Sequence, residues 1–275
     1  MGYMDIAARR WRRMGAAPPP GPSLSEQVEA FLLGTDGFAL PFRSATRLKQ
    51  DPGDTIAVTA GADPIGRINT LYGNATQNFV TTNDAFRAAW SGSASAVTDG
   101  ADDFMSGGAS VLALFPGKSA LYVCGRAKMN VLPARSSLYG FGWGNTALLR
   151  LDVMDTGLLR AEVRRESADA NTIVDSATGV VSLGAAFTHE TIVDFAGTGA
   201  VSTYINGTLV GSGTLPETPA ACSLEASLTR AYIFRSNNNT ALYSNCNWGD
   251  AVVAFKVPTN GERTSCRGWV EEVAL

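Results

Sequence analysis

Beyond residue 95 much of the chain alternates between apolar and polar positions with period two. In Leu159–Arg164, Leu159, Ala161 and Val163 fall on one side, and Arg160, Glu162 and Arg164 on the other. That is the pattern of a strand with one buried and one solvated face. Ala147, Leu149, Leu151 and Val153 share a face in the same way, and Thr191, Val193 and Phe195 oppose Glu190, Ile192 and Asp194. Ala231–Arg235 and Ala251–Lys256 alternate similarly, whereas Val111–Phe115 and Ala120–Cys124 are apolar on both sides, as strands in a sandwich core are. Asn206-Gly207, between Ser202–Ile205 and Thr208–Val210, predicts a tight hairpin, because a type I′ turn needs positive φ at both central residues. Asn237-Asn238-Asn239 predicts another turn or loop. Short strands and turns at this density predict an all-β domain, a sandwich or a barrel.

Helical spacing is confined to the two ends. Met4, Ala8, Trp11 and Met14 recur at helical intervals until Pro18, Pro19, Pro20 and Pro22 stop the pattern. Ser23 and Glu26 then form a capping box ahead of Val28, Phe31 and Leu32, with Gly34 to end the helix. Residues 35–70 are irregular and rich in Gly, Pro and Asp. At the other end Thr259 and Glu262 form a second capping box, followed by Cys266, Trp269, Val270 and Val273 at i, i+3, i+4 and i+7. The expected organisation is an arm and Pro-rich linker over 1–22, a helix and irregular lead-in packed on the sandwich over 23–94, and the sandwich itself over 95–275.

Composition narrows the function classes. The 275 residues include 22 Lys and Arg against 25 Asp and Glu, 29 glycines and one histidine. A net charge of −3 argues against a globally basic nucleic-acid binder. No apolar run reaches the roughly 18 residues of a membrane span, and no secretory signal is visible. The charge is uneven: Arg9, Arg10, Arg12 and Arg13 against Asp5 give residues 1–13 a net +3, leaving −6 on the body. The arm, with Trp11 among its arginines, reads as a solvated terminus, as an anchor docking into a partner protein, or as a membrane-surface or targeting helix. Cys124, Cys222, Cys246 and Cys266 form no C-x-x-C pair and read as buried thiols or as one or two bridges.

Catalytic signatures are missing. His189-Glu190 is not completed as a metalloprotease motif, since Val193 stands where the second histidine belongs. There is no Walker loop and no G-x-S-x-G elbow. His189 is expected at the surface or rim of a strand. The carboxylate spacing of a sandwich glucanase is absent, and Glu162 and Glu166 read as surface pairs of Arg164 and Arg165. The chain is therefore expected not to be an enzyme. Asp99, Asp102 and Asp103 form the most site-like cluster, a candidate for Ca²⁺ or simply a polar turn. Trp90, Tyr139, Trp143, Tyr232, Tyr243 and Trp248 are candidates for stacking on sugars. Trp143, in the glycine-rich Gly140–Asn145 stretch, and Tyr139 beside it are the leading ones.

Several fragments together resemble a known family. Asp63-Pro64-Ile65-Gly66, Gly73-Asn74-Ala75-Thr76-Gln77 and Thr98-Asp99-Gly100-Ala101-Asp102-Asp103-Phe104-Met105 are similar to the D-P-V-G, G-N-H-A-T-Q and F-D-G-V-D-D-Y-L stretches of LamG-like, concanavalin A-like domains common in tailed bacteriophages. The lead-in Phe31–Gly37 and Leu48–Asp51, the hairpin Tyr204–Val210 and the closing helix fit in order and spacing. The family's histidine is missing, and its D-F-D-G becomes Val97-Thr98-Asp99-Gly100. The resemblance implies a two-sheet antiparallel jelly-roll sandwich in a structural protein of a phage-like particle, located in the virion. Other virion proteins would be its partners through Arg9, Arg10, Trp11, Arg12 and Arg13, a homo-oligomer its expected state, and host-surface glycans a further ligand. A free lectin, or less readily a glycoside hydrolase, are the alternatives.

Overall fold

In a computed structural model of the chain, residues 21–72, 77–143, 146–222, 229–236, 242–272 and 274–275 are described. The basic arm, with Arg9, Arg10, Trp11, Arg12 and Arg13, lies outside them. The described residues form two antiparallel sheets packed face to face, the sandwich rather than the barrel of the two forms the alternation allowed, and the jelly-roll-like form that the family resemblance implied.

The first sheet is built from β1 (Phe38–Leu40), β5 (Ala89–Trp90), β6 (Ala96–Val97), β8 (Ala120–Met129), β13 (Ala186–Asp194), β14 (Ala200–Ile205), β15 (Thr208–Thr214) and β17 (Cys246–Ala254). Its order is β15-β14-β13-β8-β17-β6-β5, with β1 also pairing β17. The second is built from β2 (Leu48–Lys49), β3 (Arg67–Asn69), β4 (Asn78–Val80), β7 (Met105–Gly107), β9 (Arg135–Trp143), β10 (Thr146–Met154), β11 (Leu159–Val163), β12 (Thr172–Asp175) and β16 (Arg230–Ile233), in the order β12-β11-β10-β9-β16-β7-β4-β3-β2. The residues read as a lead-in thus supply strands to both sheets rather than packing on them. Val111–Phe115, read as a strand, instead begins in the short helix α2 (Ala109–Leu112), which buries Val111, and Phe115 beyond its end is buried as well.

Two apolar layers hold the molecule. One lies between the sheets and includes Phe38, Phe79, Tyr139, Phe141, Leu149, Leu151, Phe195 and Trp248. The other lies on the far side of the first sheet, under α1 (Leu24–Leu33) and α3 (Asn260–Glu271), and joins Val28, Phe31 and Leu32 to Tyr122, Cys124, Val252, Cys266, Trp269 and Val270. Both capping boxes form: Ser23 Oγ accepts from the Glu26 N–H at 3.3 Å, and Thr259 Oγ1 from the Glu262 N–H at 3.2 Å. Each thereby satisfies a donor the first helical turn would leave unpaired. At the predicted hairpin Asn206 and Gly207 have φ of 50° and 78°, joining β14 to β15.

The second apolar layer changes the reading of β13. Its polar side is not solvated, because α3 lies over it. Glu190 is fully buried there and accepts from Tyr122 Oη (3.0 Å), Arg263 Nε (3.0 Å) and Arg267 Nη1 (3.2 Å). His189, expected at the surface, faces the opposite way and is fully buried between the sheets against Tyr139, Phe187 and Trp248. All four cysteines are buried free thiols.

Candidate functional site

With both long helices on the first sheet, the exposed broad face of the sandwich is the outer face of the second. Alternation determines which side chains it carries. Tyr139 points inward, edge-on to Trp248 with ring centroids 4.9 Å apart. Its neighbour Gly140 therefore points outward, and the register places Ser106, Tyr232, Gly140, Arg150, Glu162 and Ile173 in one row across five adjacent strands and the edge strand. Gly140 and Arg150, at the middle of that row, are buried, so the exposed parts of the face lie toward its ends.

One end of the face is a closed ionic network. Arg135 donates to Asp152 at 2.6 Å and to Glu162 at 2.9 Å, and Arg150 reaches both of the same carboxylates. Ser137 also donates to Asp152, and Asn171 to Glu162 at 2.7 Å. Arg160 and Asp175 pair through two bonds of 2.7 Å. These acids are neutralised by arginines rather than paired with each other. Glu166 pairs with Arg165 as expected, but Glu162 answers Arg135 and Arg150 across the sheet.

The other end is aromatic. Phe86, Phe104, Tyr232 and Tyr243 are half-buried and in contact, with Phe104 lying 5.5 Å from Phe86 and from Tyr232 and 6.4 Å from Tyr243. Arg235 sits among them, its guanidinium carbon 4.7 Å from the Phe104 ring centre, 5.2 Å from Tyr232 and 5.3 Å from Tyr243, within cation–π range of all three. The alternation of Ala231–Arg235 would put Arg235 on the core side with Ala231 and Ile233. Phe234 overturns that: its φ of 68° lies in the left-handed region that a bulky residue rarely adopts. The twist turns the Phe234 ring into the core against Phe42 and Trp248, and Arg235 emerges beside Tyr232 instead.

Next to this cluster a cleft of about 280 Å³ is lined by Asp99, Val131, Pro133, Arg135, Tyr243 and Asn245. Asp99, which lines it, belongs with Asp102 and Asp103 to a cluster in which a carboxylate oxygen of each lies within 4.8 Å of the others. Burial pushes the Asp103 carboxyl up to about 6, against the Asp99 N–H that it accepts at 2.9 Å, and the charges of Asp99 and Asp102 push the same way as burial. Asn245 donates to the Asp99 carbonyl at 2.7 Å, and Asp99 accepts from the Ala101 N–H at 2.7 Å. The turn is thus held by its own hydrogen bonds. Its three carboxylates offer part of the six to eight oxygens that Ca²⁺ takes.

Among the sugar-stacking candidates, Tyr139 is corrected: it is fully buried and presents no ring face to solvent. Trp90 and Trp248 are core residues too. Trp143 is half-buried at the end of β9, packed against the core. Tyr232 and Tyr243 are brought together on the open face. Phe86, Phe104 and Arg235 were not among the candidates; the available signal was Phe104 following directly on the acidic turn.

No protein-family model matches the chain, and no curated protein matches it. Solved structures do. Trypanosoma rangeli sialidase aligns over 98% of this chain and 38% of its own, at 13% identity and a TM-score of 0.55. The CBM40 of the Ruminococcus gnavus IT-sialidase aligns over 64% of this chain and 96% of its own, at 11% identity and a TM-score of 0.50. The leech intramolecular trans-sialidase aligns over 64% of this chain and 27% of its own, at 13% identity and a TM-score of 0.50. The chain thus spans about a quarter to two fifths of the sialidases it matches. At such identities the likeness is one of fold, and the chain shares with these proteins an antiparallel two-sheet β-sandwich.

Proposed function

We propose that the chain is a non-catalytic glycan-binding module that uses the outer face of its second sheet. The observation that carries this reading is the half-exposed cluster of Phe104, Tyr232 and Tyr243 on the one broad face that the long helices leave open, beside a cleft with polar groups. Aromatic rings on a rigid sheet offer sugar rings a flat apolar surface, and the surrounding amide and guanidinium groups supply hydrogen bonds. The fold likeness to a sialidase carbohydrate-binding module fits this use. A non-catalytic role is supported by the arginine pairing of Asp152 and Glu162 and by the burial of His189. The sequence resemblance to phage LamG-like domains supports the reading of the module as part of a virion. Its basic arm would dock to other virion proteins, and the sandwich would face the host surface as part of a homo-oligomer.

A glycan array probed with the full chain and with Tyr232→Ala tests the binding role. Selective signal that the variant loses supports it, and no glycan signal from the full chain overturns it. Deleting residues 1–22 tests the docking role: normal incorporation of the truncated chain into particles would refute it.

A further inference from the structure

We infer that Arg235 is a receptor for the carboxylate of an acidic sugar, with the sugar ring resting on the adjoining tyrosines. The inference deepens the glycan-binding reading and rests on it. Three independent observations carry it.

The first is charge. Arg135, Arg150 and Arg160, at the other end of this face, are each paired with carboxylates. Arg235 makes no ion pair with any described residue, and its Nε is buried without a hydrogen-bond partner among them. A guanidinium has five donors in a planar fork, so one without a carboxylate partner is free to answer an anionic ligand.

The second is preorganisation. Phe104, Tyr232 and Tyr243 surround the guanidinium at 4.7 to 5.3 Å, so little side-chain freedom remains to be lost on binding. A planar fork held in this way suits the two oxygens of a carboxylate.

The third is backbone strain. Phe234 is held in the left-handed region, and such strain persists where the surrounding fold enforces it, often at ligand sites. Its effect here is to move Arg235 from the core side of the strand to the open face.

A carboxylate on a pyranose ring occurs in uronic acids and in sialic acids, and the two sources are separate arms of the test. Full-length protein is titrated by calorimetry with a glucuronate-containing oligosaccharide, with sialyllactose and with lactose, and the titrations are repeated with Arg235→Gln and Arg235→Lys. One acidic ligand is expected to bind at least about tenfold more tightly than lactose, as a charge-assisted pair warrants. Raised salt should weaken the acidic ligand and not lactose. Arg235→Gln should bring the acidic ligand down to the lactose level, and Arg235→Lys should retain part of the preference. Unchanged melting temperatures would show that the variants still fold. If lactose binds as tightly as both acidic ligands, or Arg235→Gln keeps the preference, the inference fails while glycan binding stands. If no sugar binds, both fail.

Discussion

Arg43 and Asp250 join the start of the sandwich to its central strand: the Arg43 backbone N–H donates to Asp250 Oδ1 at 2.9 Å, and its Nε to Oδ2. Asp250 is fully buried at the irregularity in β17, between Trp248 and Ala251. The same guanidinium lies 4.6 Å over the Trp269 ring, donates to the Trp269 carbonyl, and reaches Glu272 at 2.6 Å. One side chain thus ties the loop after β1, the strand β17 and the end of α3. Removing Asp250 takes a buried carboxylate from Arg43 and the acceptor from its backbone N–H. Asp250→Ala is expected to lower unfolding stability by about 3–5 kcal/mol, measured by denaturant titration. Loss of less than 1 kcal/mol, roughly the value of a solvated pair, would contradict the clamp.

His189 predicts a pH dependence. Burial pushes its imidazole down to about 3, and neither ring nitrogen has a hydrogen-bond partner among the described residues. The unfolded chain takes up a proton near 6.5, while the folded chain resists it until about 3. Protons therefore favour the unfolded state over that window. Stability from this residue is full above 6.5 and falls as pH drops, by up to about 1.4 kcal/mol per pH unit. In His189→Leu this share of the acid sensitivity should vanish, so the two stability curves should converge or cross below pH 6. Parallel curves from pH 7 to pH 4 would show that His189 is not held neutral.

Much of this architecture was readable in the sequence, and the failures have physical causes. The capping boxes at Ser23 and Thr259 and the Asn206-Gly207 turn were legible because their geometry is set within four residues. The strands β10 and β11 were legible because apolar and polar side chains alternate along them. His189 and Glu190 were not, since alternation says that two neighbours face opposite ways but not that α3, some 70 residues later, covers the polar side. The strands of residues 38–90 are two or three residues long, too short for a period to show. Arg235 was misplaced because a single left-handed residue reverses the register of everything after it.

Glu190 under α3 gives a third prediction. It is the shared acceptor of Arg263, Arg267 and Tyr122, so it links the closing helix to β8 and β13. Glu190→Ala should loosen α3 selectively, since Arg263 and Arg267 would then lose their shared buried acceptor. Cys266 on α3 and Cys124 beneath it are inaccessible in the folded protein. In the variant, both thiols should react with Ellman's reagent under native conditions, while Cys222 and Cys246 stay protected. Equal reactivity of all four would indicate global unfolding rather than release of the helix.

Two glycines differ in why they are glycine. A Cβ on Gly125 in β8 would lie 2.6 Å from Tyr139 Oη and 2.9 Å from His189 Nε2, both locked in the core. A Cβ on Gly207 would lie 2.5 Å from Arg267 Nη1, the end of a flexible side chain, and the burden there is the φ of 78°. Gly207→Ala should cost about 1 kcal/mol. Gly125→Ala should cost about 1–3 kcal/mol or more, because overpacking forces neighbours off their rotamers. Thermal melts of the two variants rank them; the reverse order would mean that the core around Tyr139 yields more readily than its packing implies.

Asp103 predicts the opposite sign from His189. Its carboxyl is pushed up to about 6 in the fold, against 3.8 unperturbed. The folded state then holds a proton that the unfolded state has released, so Asp103 favours folding at low pH and the advantage is lost as pH rises through 6. At neutral pH the ionised group is a burden. Asp103→Asn keeps an oxygen to accept the Asp99 N–H and removes the charge, so it should raise the melting temperature at pH 7 and make no difference at pH 4. A divalent cation on Asp99, Asp102 and Asp103 would reverse this, since the ion would hold Asp103 ionised. Melting with millimolar Ca²⁺ and with chelator separates the two. If Ca²⁺ raises the wild-type melting temperature and the variant loses that gain, the turn is a cation site; if Ca²⁺ has no effect and the variant is the more stable, it is a polar turn burdened by its own charge.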